Sequence, residues 1–154
     1  MDGGEPWMRK AASVLALLLA VCIGFAGCSS GSYKDGVYHA EFEDYDSQGW
    51  KEYVDVEVSG NTVTVLTFDG VIADGEKKSA EEDYRASMEP VKGTYPAKFY
   101  TDIVNQYLET GNLDDVATVA GATLSTDHFR ALMLALEDSM KSGDTTPVVV
   151  AYEQ

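Results

Sequence analysis

Apolar and polar residues alternate along the first third of the chain after residue 33, and this spacing predicts β-strands. The strands are expected over residues 37–43, 51–58 and 62–68. Residues 59–61 read SGN, a turn signal, so the second and third strands are predicted to form an antiparallel hairpin. The residues predicted to face the core from the first two strands are Tyr38, Ala40, Phe42, Val54, Val56 and Val58.

A loop and a first helix are predicted after the hairpin. Residues 69–78 contain several glycines and acids in quick succession and are expected to form the loop. Ser79 followed by Glu82 has the spacing of a capping box, which predicts the start of the helix. Pro90 disfavours helical dihedrals at the residue before it, so the helix is expected to end near Met88.

Two longer helices and a short strand are predicted in the last third of the chain. One helix covers residues 96–110, with a proline in its first turn and a glycine after its last. The other begins at Ser125 or Thr126 and ends at Gly143, and residues 147–152 form a short apolar strand that can join a sheet edge. The apolar residues at helical spacing are Phe99, Ile103, Val104, Tyr107, Phe129, Leu132, Met133 and Leu136.

The order of these elements predicts an α+β domain, in which a curved antiparallel sheet is packed by two to three helices. A length of 154 residues suits a single core. The apolar fraction of 45% and the aromatic fraction of 10% exclude a disordered acidic tail.

The N-terminal region has the pattern of a secretory signal. Arg9 and Lys10 precede the uncharged apolar run of residues 11–27, which is the usual order of a basic region and a hydrophobic region. Residues 25–28 read FAGC and resemble the lipobox of bacterial lipoproteins, with a phenylalanine where leucine is more usual. The resemblance implies cleavage before Cys28 and attachment of lipid to Cys28.

The predicted organisation is therefore a signal peptide over residues 1–27, a lipidated tether over residues 28–32 and a domain over residues 33–154. This organisation places the domain at the cell membrane, lipid-anchored and facing outside the cytoplasm. A simple signal peptide or an uncleaved anchor is the alternative.

Charge restricts the partners of the domain. The formal net charge is −15, from 11 basic and 26 acidic side chains, and the predicted signal peptide removes two of each. Nucleic-acid binding is excluded, because phosphate contacts require clustered Lys and Arg. Contact with the lipid bilayer is expected through Cys28 and not through surface charge. The two histidines, His39 and His128, have no second ligand at metal spacing, so no metal site is predicted.

The segment that offers binding chemistry comes directly before the last helix. Gly121 and Ala122 allow close approach of a ligand to the backbone, and Thr123 adds a hydroxyl group. Leu124 and Ser125 follow at the predicted start of the helix, where unpaired backbone N–H groups favour an anion. Together they can seat a phosphate group. An ordinary loop with an N-cap is the alternative reading of these residues.

This segment also resembles a known family. Residues 119–126 read VAGATLST and resemble the Ser/Thr-Gly-Ala-Thr loop of the FMN-binding domain family, which includes flavin-carrying subunits of membrane electron-transfer complexes and bacterial surface lipoproteins. Other segments resemble the same family in the same order: residues 33–38, residues 49–53 around Trp50, Asp83 with Tyr84 and Met88, and residues 128–132.

The resemblance implies that Thr123 accepts FMN as a phosphoester, which a flavin transferase makes from FAD. The chain departs from the family pattern at Ala117, where Asp is expected, and at Ala120, where Ser or Thr is expected. Covalent FMN, non-covalent FMN and a domain that has lost flavin therefore all stay open. The residues that suit contact with the flavin ring by type are Trp50, Tyr84, Met88 and Tyr95.

The function implied is that of a membrane-anchored FMN-binding lipoprotein that carries electrons at the cell surface. Its implied partners are a flavin transferase and a membrane electron donor. Such a protein is an electron-transfer flavoprotein and not a catalyst with its own substrate. The alternative is a flavin-free surface binding or structural lipoprotein that keeps the fold.

Overall fold

The structure is a computed structural model that describes residues 32–151. The chain divides into Met1–Gly31 and Ser32–Gln154, and the predicted signal peptide, Cys28 and almost all of the tether lie outside the described residues. Across residues 32–151, none of the helices has the length and apolarity that crossing a membrane requires.

Four strands form one open sheet in the order β3-β2-β1-β4. They are β1 (Gly36–Phe42), β2 (Lys51–Ser59), β3 (Thr62–Val71) and β4 (Val148–Val150). β2 pairs antiparallel with both β1 and β3, as predicted. β4 pairs parallel with β1, so the sheet is mixed, and the prediction of a wholly antiparallel sheet is wrong at this edge. The last helix carries the chain back along the sheet before β4, which gives β4 the same direction as β1.

β3 is longer than its sequence pattern predicts. Its last residues, Asp69 to Val71, pair with Tyr53 to Lys51 at the start of β2. They were expected to be loop, because a run with an acid and a glycine has low strand propensity. Asp69 is buried, and its Oδ1 accepts the N–H of Ser79 at 3.1 Å.

Three helices follow: α1 (Glu82–Lys92), α2 (Pro96–Thr110) and α3 (Thr123–Ser142). The predicted start of α1 at Ser79 is wrong. Lys78–Ala80 forms a separate 3₁₀ turn, and the Ser79 hydroxyl donates to Asp69 Oδ2 at 2.5 Å instead of capping the helix. Glu81 is the N-cap, and its side chain accepts the N–H of Asp83.

The predicted end of α1 near Met88 is also wrong. Pro90 lies in the last turn of the helix, which continues to Lys92 and ends at Gly93 in the left-handed region. Proline has no backbone N–H to donate, and the exposed last turn tolerates the loss of that one hydrogen bond. α3 begins at Thr123, slightly earlier than predicted, because the carbonyl of Ala122 accepts the N–H of Thr126 at 2.9 Å.

The core lies between one face of the sheet and the helices α2 and α3. All of the inward-facing residues predicted from β1 and β2 are buried, and the apolar stripes of α2 and α3 are confirmed, with Val104 only half-buried. Gly111 and Gly143 end α2 and α3 as expected. The α+β class is confirmed, and the packing holds the first turn of α3 against β2.

Candidate functional site

The loop before α3 is a tight turn that depends on Gly121. Its φ of +82° lies in the left-handed region, and a Cβ atom added there would lie 3.0 Å from Cγ2 of Thr94. Ala122 is buried and donates its N–H to the carbonyl of Val119 at 2.9 Å. Glycine is therefore required at position 121 for both its dihedral angle and its close packing.

Thr123 and Leu124 are exposed at the first two positions of α3, a helix of 20 residues. Their backbone N–H groups, with that of Ser125, lie in the first helical turn and have no partner four residues earlier within the helix. These groups carry the partial positive charge of the helix start. The loop thus presents N–H donors and one exposed hydroxyl group on the same surface.

The hydroxyl groups of Ser125 and Thr126 are directed inward. Ser125 Oγ donates to Glu52 Oε1 at 2.6 Å, and Thr126 Oγ1 donates to the carbonyl of Ala122 at 2.9 Å. The N–H of Val119 also donates to Thr126 Oγ1 at 3.2 Å. Because each hydroxyl has one proton to donate, what Ser125 offers a ligand is its backbone N–H.

A cavity of about 150 Å³ opens beside this loop. It brings Tyr84 and Met88 of α1, two of the residues predicted by type to contact a flavin ring, together with Thr123. Its full lining is Asp46, Gln48, Lys78, Tyr84, Met88, Phe99, Gly121, Ala122, Thr123, Leu124 and Ser125.

Two of the residues proposed for ring contact lie outside this lining. Trp50 is buried, with its ring centroid 5.8 Å from Nζ of Lys78. Tyr95 packs under the guanidinium of Arg85, at 4.3 Å from its ring centroid. Trp50 therefore supports a residue of the cavity, whereas Tyr95 has another partner.

Lys78 is a site residue that the sequence analysis missed. It is 6% exposed, and its ammonium lies 5.4 Å from the ring centroid of Tyr84 and 4.0 Å from Oδ2 of Asp46. The position was expected to be a solvated loop in an acidic chain. The available signal was a pair of adjacent lysines, Lys77 and Lys78, among acidic and small residues.

Glu52 ties the start of α3 to the sheet. Its Oε1 accepts from Tyr100 Oη at 2.7 Å as well as from Ser125, and its Oε2 lies 2.7 Å from Nδ1 of His128. Burial raises the pKa of Glu52, but the hydrogen bonds from His128, Ser125 and Tyr100 together lower it more, so the pKa lies below its usual value. Burial and the nearby carboxylate raise the pKa of Tyr100 well above its usual value. The sequence does contain a sign of this network: Glu52 lies at the alternating positions of β2 that face inward, together with three buried valines.

The two histidines have protein partners. His128 bonds to Glu52, and Nδ1 of His39 lies 2.8 Å from Oδ1 of Asp55. Within residues 32–151, no group of three or more His, Cys, Asp or Glu side chains is arranged to hold a metal ion.

The cavity lining suits a phosphate group. Its donors are backbone N–H groups, the Thr123 hydroxyl and the Lys78 ammonium, which are the groups that bind phosphate. Its volume is below the roughly 300 Å³ of common ligand pockets, so it can seat a phosphate group but not the flavin ring. Close by, Thr94 is 4% exposed, and its hydroxyl has no hydrogen-bond partner within residues 32–151.

Three larger cavities lie elsewhere among the described residues. One of about 380 Å³ lies between β3 and α2, one of about 360 Å³ lies beside Glu76 and Ala80, and one of about 230 Å³ lies beside Tyr107 and Met140. None of the three is lined by the loop before α3 or by Tyr84 and Met88, so size alone does not identify the site.

Comparison with known proteins supports a lipoprotein. The chain is 34% identical, over 134 residues, to the 15 kDa lipoprotein of Treponema pallidum (strain Nichols), a match that covers 87% of this chain and 94% of the relative. The crystal structure of the CPE2226 protein from Clostridium perfringens has a TM-score of 0.73 at 25% identity, covering 79% of this chain and 99% of that one.

No protein-family model matches the sequence, so the flavin resemblance stays a prediction. The relative's identity and coverage are high enough to establish kinship over nearly the whole chain. The chain therefore belongs to the bacterial lipoprotein family of the 15 kDa lipoprotein of Treponema pallidum.

Proposed function

We propose that this lipoprotein holds FMN at the loop before α3 and carries electrons at the outer side of the cell membrane. The observation that supports the proposal is the cavity that joins the loop to Tyr84 and Met88. These residues come from separate segments of the chain, each of which resembles the FMN-binding domain family. A shared cavity is what a common ligand would require.

Thr123 is the residue proposed to carry the flavin. It is exposed at the start of α3, so an external flavin transferase can reach it. In the proposed step, Thr123 Oγ forms a bond to the phosphorus of the FMN part of FAD. The pyrophosphate bond of FAD breaks, and AMP leaves with the hydroxyl proton.

The domain would position the cofactor and leave the redox chemistry to it. Bound FMN supplies one- and two-electron transfer through its isoalloxazine ring. Of the lining residues, Tyr84 and Met88 are half-buried and Leu124 is exposed, so these three offer apolar surface to the ring. The Tyr84 hydroxyl donates to Gln48 Oε1 at 3.2 Å, which orients its ring at the cavity.

The second candidate is a flavin-free surface binding or structural lipoprotein. The observation that favours it is that Ala117 and Ala120 are both exposed, at the positions where the family pattern has Asp and Ser or Thr. A transferase that recognises the polar side chains of the family pattern would find only the methyl groups of alanine at these two positions.

The test is expression of the full-length chain together with a flavin transferase, followed by intact mass and in-gel flavin fluorescence. The wild-type chain should gain one FMN less one water, and Thr123→Val should gain nothing. Thr118→Val is the matched control, because Thr118 is exposed in the same connecting segment and outside the cavity lining. Flavin that co-purifies but is released on denaturation would support binding without the bond. Absence of flavin in both forms would contradict the proposal.

A further inference from the structure

We propose that the Lys78 ammonium recognises the phosphate group of FMN, with Asp46 as its competing anion, and makes the site select FMN over riboflavin. This inference rests on the proposed function, because it concerns the same cavity. It adds a specificity residue that the family resemblance does not supply. Lys78 comes from the 3₁₀ turn before α1, whereas the loop donors come from α3.

The burial of Lys78 is unusual for a lysine. Only 6% of the residue is exposed, and its stem packs so closely on Gly70 that a Cβ atom there would lie 3.3 Å from Lys78 Cδ. Lysine is almost never fully buried unless it is paired, because removing an ammonium from water is costly. The position therefore calls for a strong anionic partner.

The protein itself supplies only a weak partner. The Lys78 ammonium has three N–H donors, and within residues 32–151 none of them makes a hydrogen bond. Asp46 Oδ2 lies 4.0 Å away, beyond hydrogen-bond range, and the rings of Trp50 and Tyr84 lie at 5.8 and 5.4 Å. The Lys78 stem is buried, but its ammonium is not among the polar atoms closed off from solvent in residues 32–151, so its donors are accessible at the cavity, where a phosphate oxygen can bind them.

Asp46 is held in place by other contacts. Its Oδ1 accepts the backbone N–H groups of Gln48 at 2.8 Å and Trp50 at 2.9 Å, which fixes its carboxylate beside Lys78. Its negative charge partly balances the ammonium, and it also repels an incoming phosphate. Removing the charge of Asp46 should therefore strengthen phosphate binding, whereas removing that of Lys78 should weaken it.

The geometry also provides a second set of donors for the same phosphate. Thr123, Leu124 and Ser125 line the cavity with Lys78, and their N–H groups are those of the helix start. A single anion can be reached by a fixed cation and by helix N–H groups. Riboflavin has the same ring and no phosphate, so it leaves the Lys78 ammonium unsatisfied.

The experiment measures binding to the full-length chain made without a transferase, so that no flavin is attached. FMN and riboflavin are titrated by flavin fluorescence, and inorganic phosphate is tested by thermal shift. Lys78→Met keeps the stem length and removes the charge. Lys77→Met is the matched control, since Lys77 is an exposed neighbour outside the cavity lining.

We expect Lys78→Met to weaken FMN binding by about 10- to 100-fold, the loss for one charge-assisted hydrogen bond, and to leave riboflavin binding unchanged. Lys77→Met should bind FMN like the wild type. Asp46→Asn should tighten FMN by about threefold or more, as for removal of a screened charge. If Lys78→Met does not fold, the opposite effect of Asp46→Asn still tests the inference.

Several results would overturn the inference. Equal FMN affinity of Lys78→Met and wild type, or equal affinity of the wild type for FMN and riboflavin, would refute it while the proposed function stands. If no flavin binds but inorganic phosphate stabilises the chain only when Lys78 is present, the proposed function fails and the anion role of Lys78 is supported. If the wild type neither binds flavin nor is stabilised by inorganic phosphate, both the proposed function and the inference about Lys78 are contradicted.

Discussion

Replacing Gly121 by alanine tests whether the loop geometry that carries the proposed site is under steric constraint. The φ of +82° costs an L-residue about 1–2 kcal/mol. The added Cβ atom would also lie 3.0 Å from Thr94 Cγ2, and overpacking of this kind costs about 1–3 kcal/mol. We therefore expect Gly121→Ala to lower the free energy of unfolding by about 2–5 kcal/mol, with flavin attachment reduced in parallel.

Gly111→Ala is the matched control. Gly111 has a φ of +67° at the end of α2, and a Cβ atom there would meet nothing within 4 Å. Gly111→Ala should therefore lower the free energy of unfolding only by the cost of the left-handed dihedral angle, about 1–2 kcal/mol. Urea unfolding followed by far-ultraviolet circular dichroism gives both values from the transition midpoints and slopes.

A double-mutant cycle isolates the contact with Thr94. Thr94→Ser removes the methyl group that meets the new Cβ atom, so Gly121→Ala should cost less in that background than in the wild type. If Gly121→Ala costs no more than Gly111→Ala, or if Thr94→Ser recovers nothing, the steric account of the loop is refuted.

Two further predictions concern the network beneath the loop and its surface. Glu52→Gln should destabilise the domain by roughly 3 kcal/mol, since the groups that bond to Glu52 lose a buried anion. The pKa of Glu52 is lowered from 4.5, so its carboxylate contributes its full stability above about pH 4.5 and loses it as the pH falls through the lower folded value. Urea titrations should thus show the difference between wild type and Glu52→Gln shrinking below pH 4.5, and a difference that does not depend on pH would refute this role. Ala117→Asp with Ala120→Ser restores the family's recognition pattern at two exposed positions, so it should raise covalent flavin incorporation in co-expression without lowering the melting temperature. Unchanged incorporation, measured by intact mass, would show that these departures do not limit attachment.

The parts of the fold that follow from local periodicity could be predicted from the sequence. The alternation that places Val54 and Val56 inward decides the register of β2, because a shift of one residue would expose its whole apolar face. The stripe that contains Phe129 and Leu136 similarly fixes the buried side of α3. Glycines after α2 and α3 mark the helix ends by their left-handed conformation.

Two of the errors arise where a distant partner or a long-range chain path overrides a local preference, and one arises where an exposed helix end tolerates proline. Ser79 has the sequence of a helix cap, but buried Asp69 takes its hydroxyl and N–H, so α1 starts after the 3₁₀ turn. Pro90 was expected to end α1, but it lies in an exposed last turn in which one missing hydrogen bond is tolerated. The parallel pairing of β4 depends on the path of α3 and has no local signal.

Some residues of the candidate site could be predicted from the sequence and others could not. The glycine turn at Gly121 and the approximate start of α3 follow from the sequence pattern, and the candidate role of Thr123 follows from the resemblance. Lys78 and Glu52 do not, because they reach the site through long-range contacts. Glu52 is 73 residues from Ser125 in the chain, and only the folded sheet brings the two side chains together.

The flavin content of the full-length chain tests the central claim most directly. The protein should be purified from cells that make a flavin transferase, given excess FMN, separated from free flavin and measured by absorbance in the flavin bands. The account predicts about one flavin per chain in the wild type, and a reduced content in Gly121→Ala. A wild-type chain that is folded and free of flavin would contradict the account.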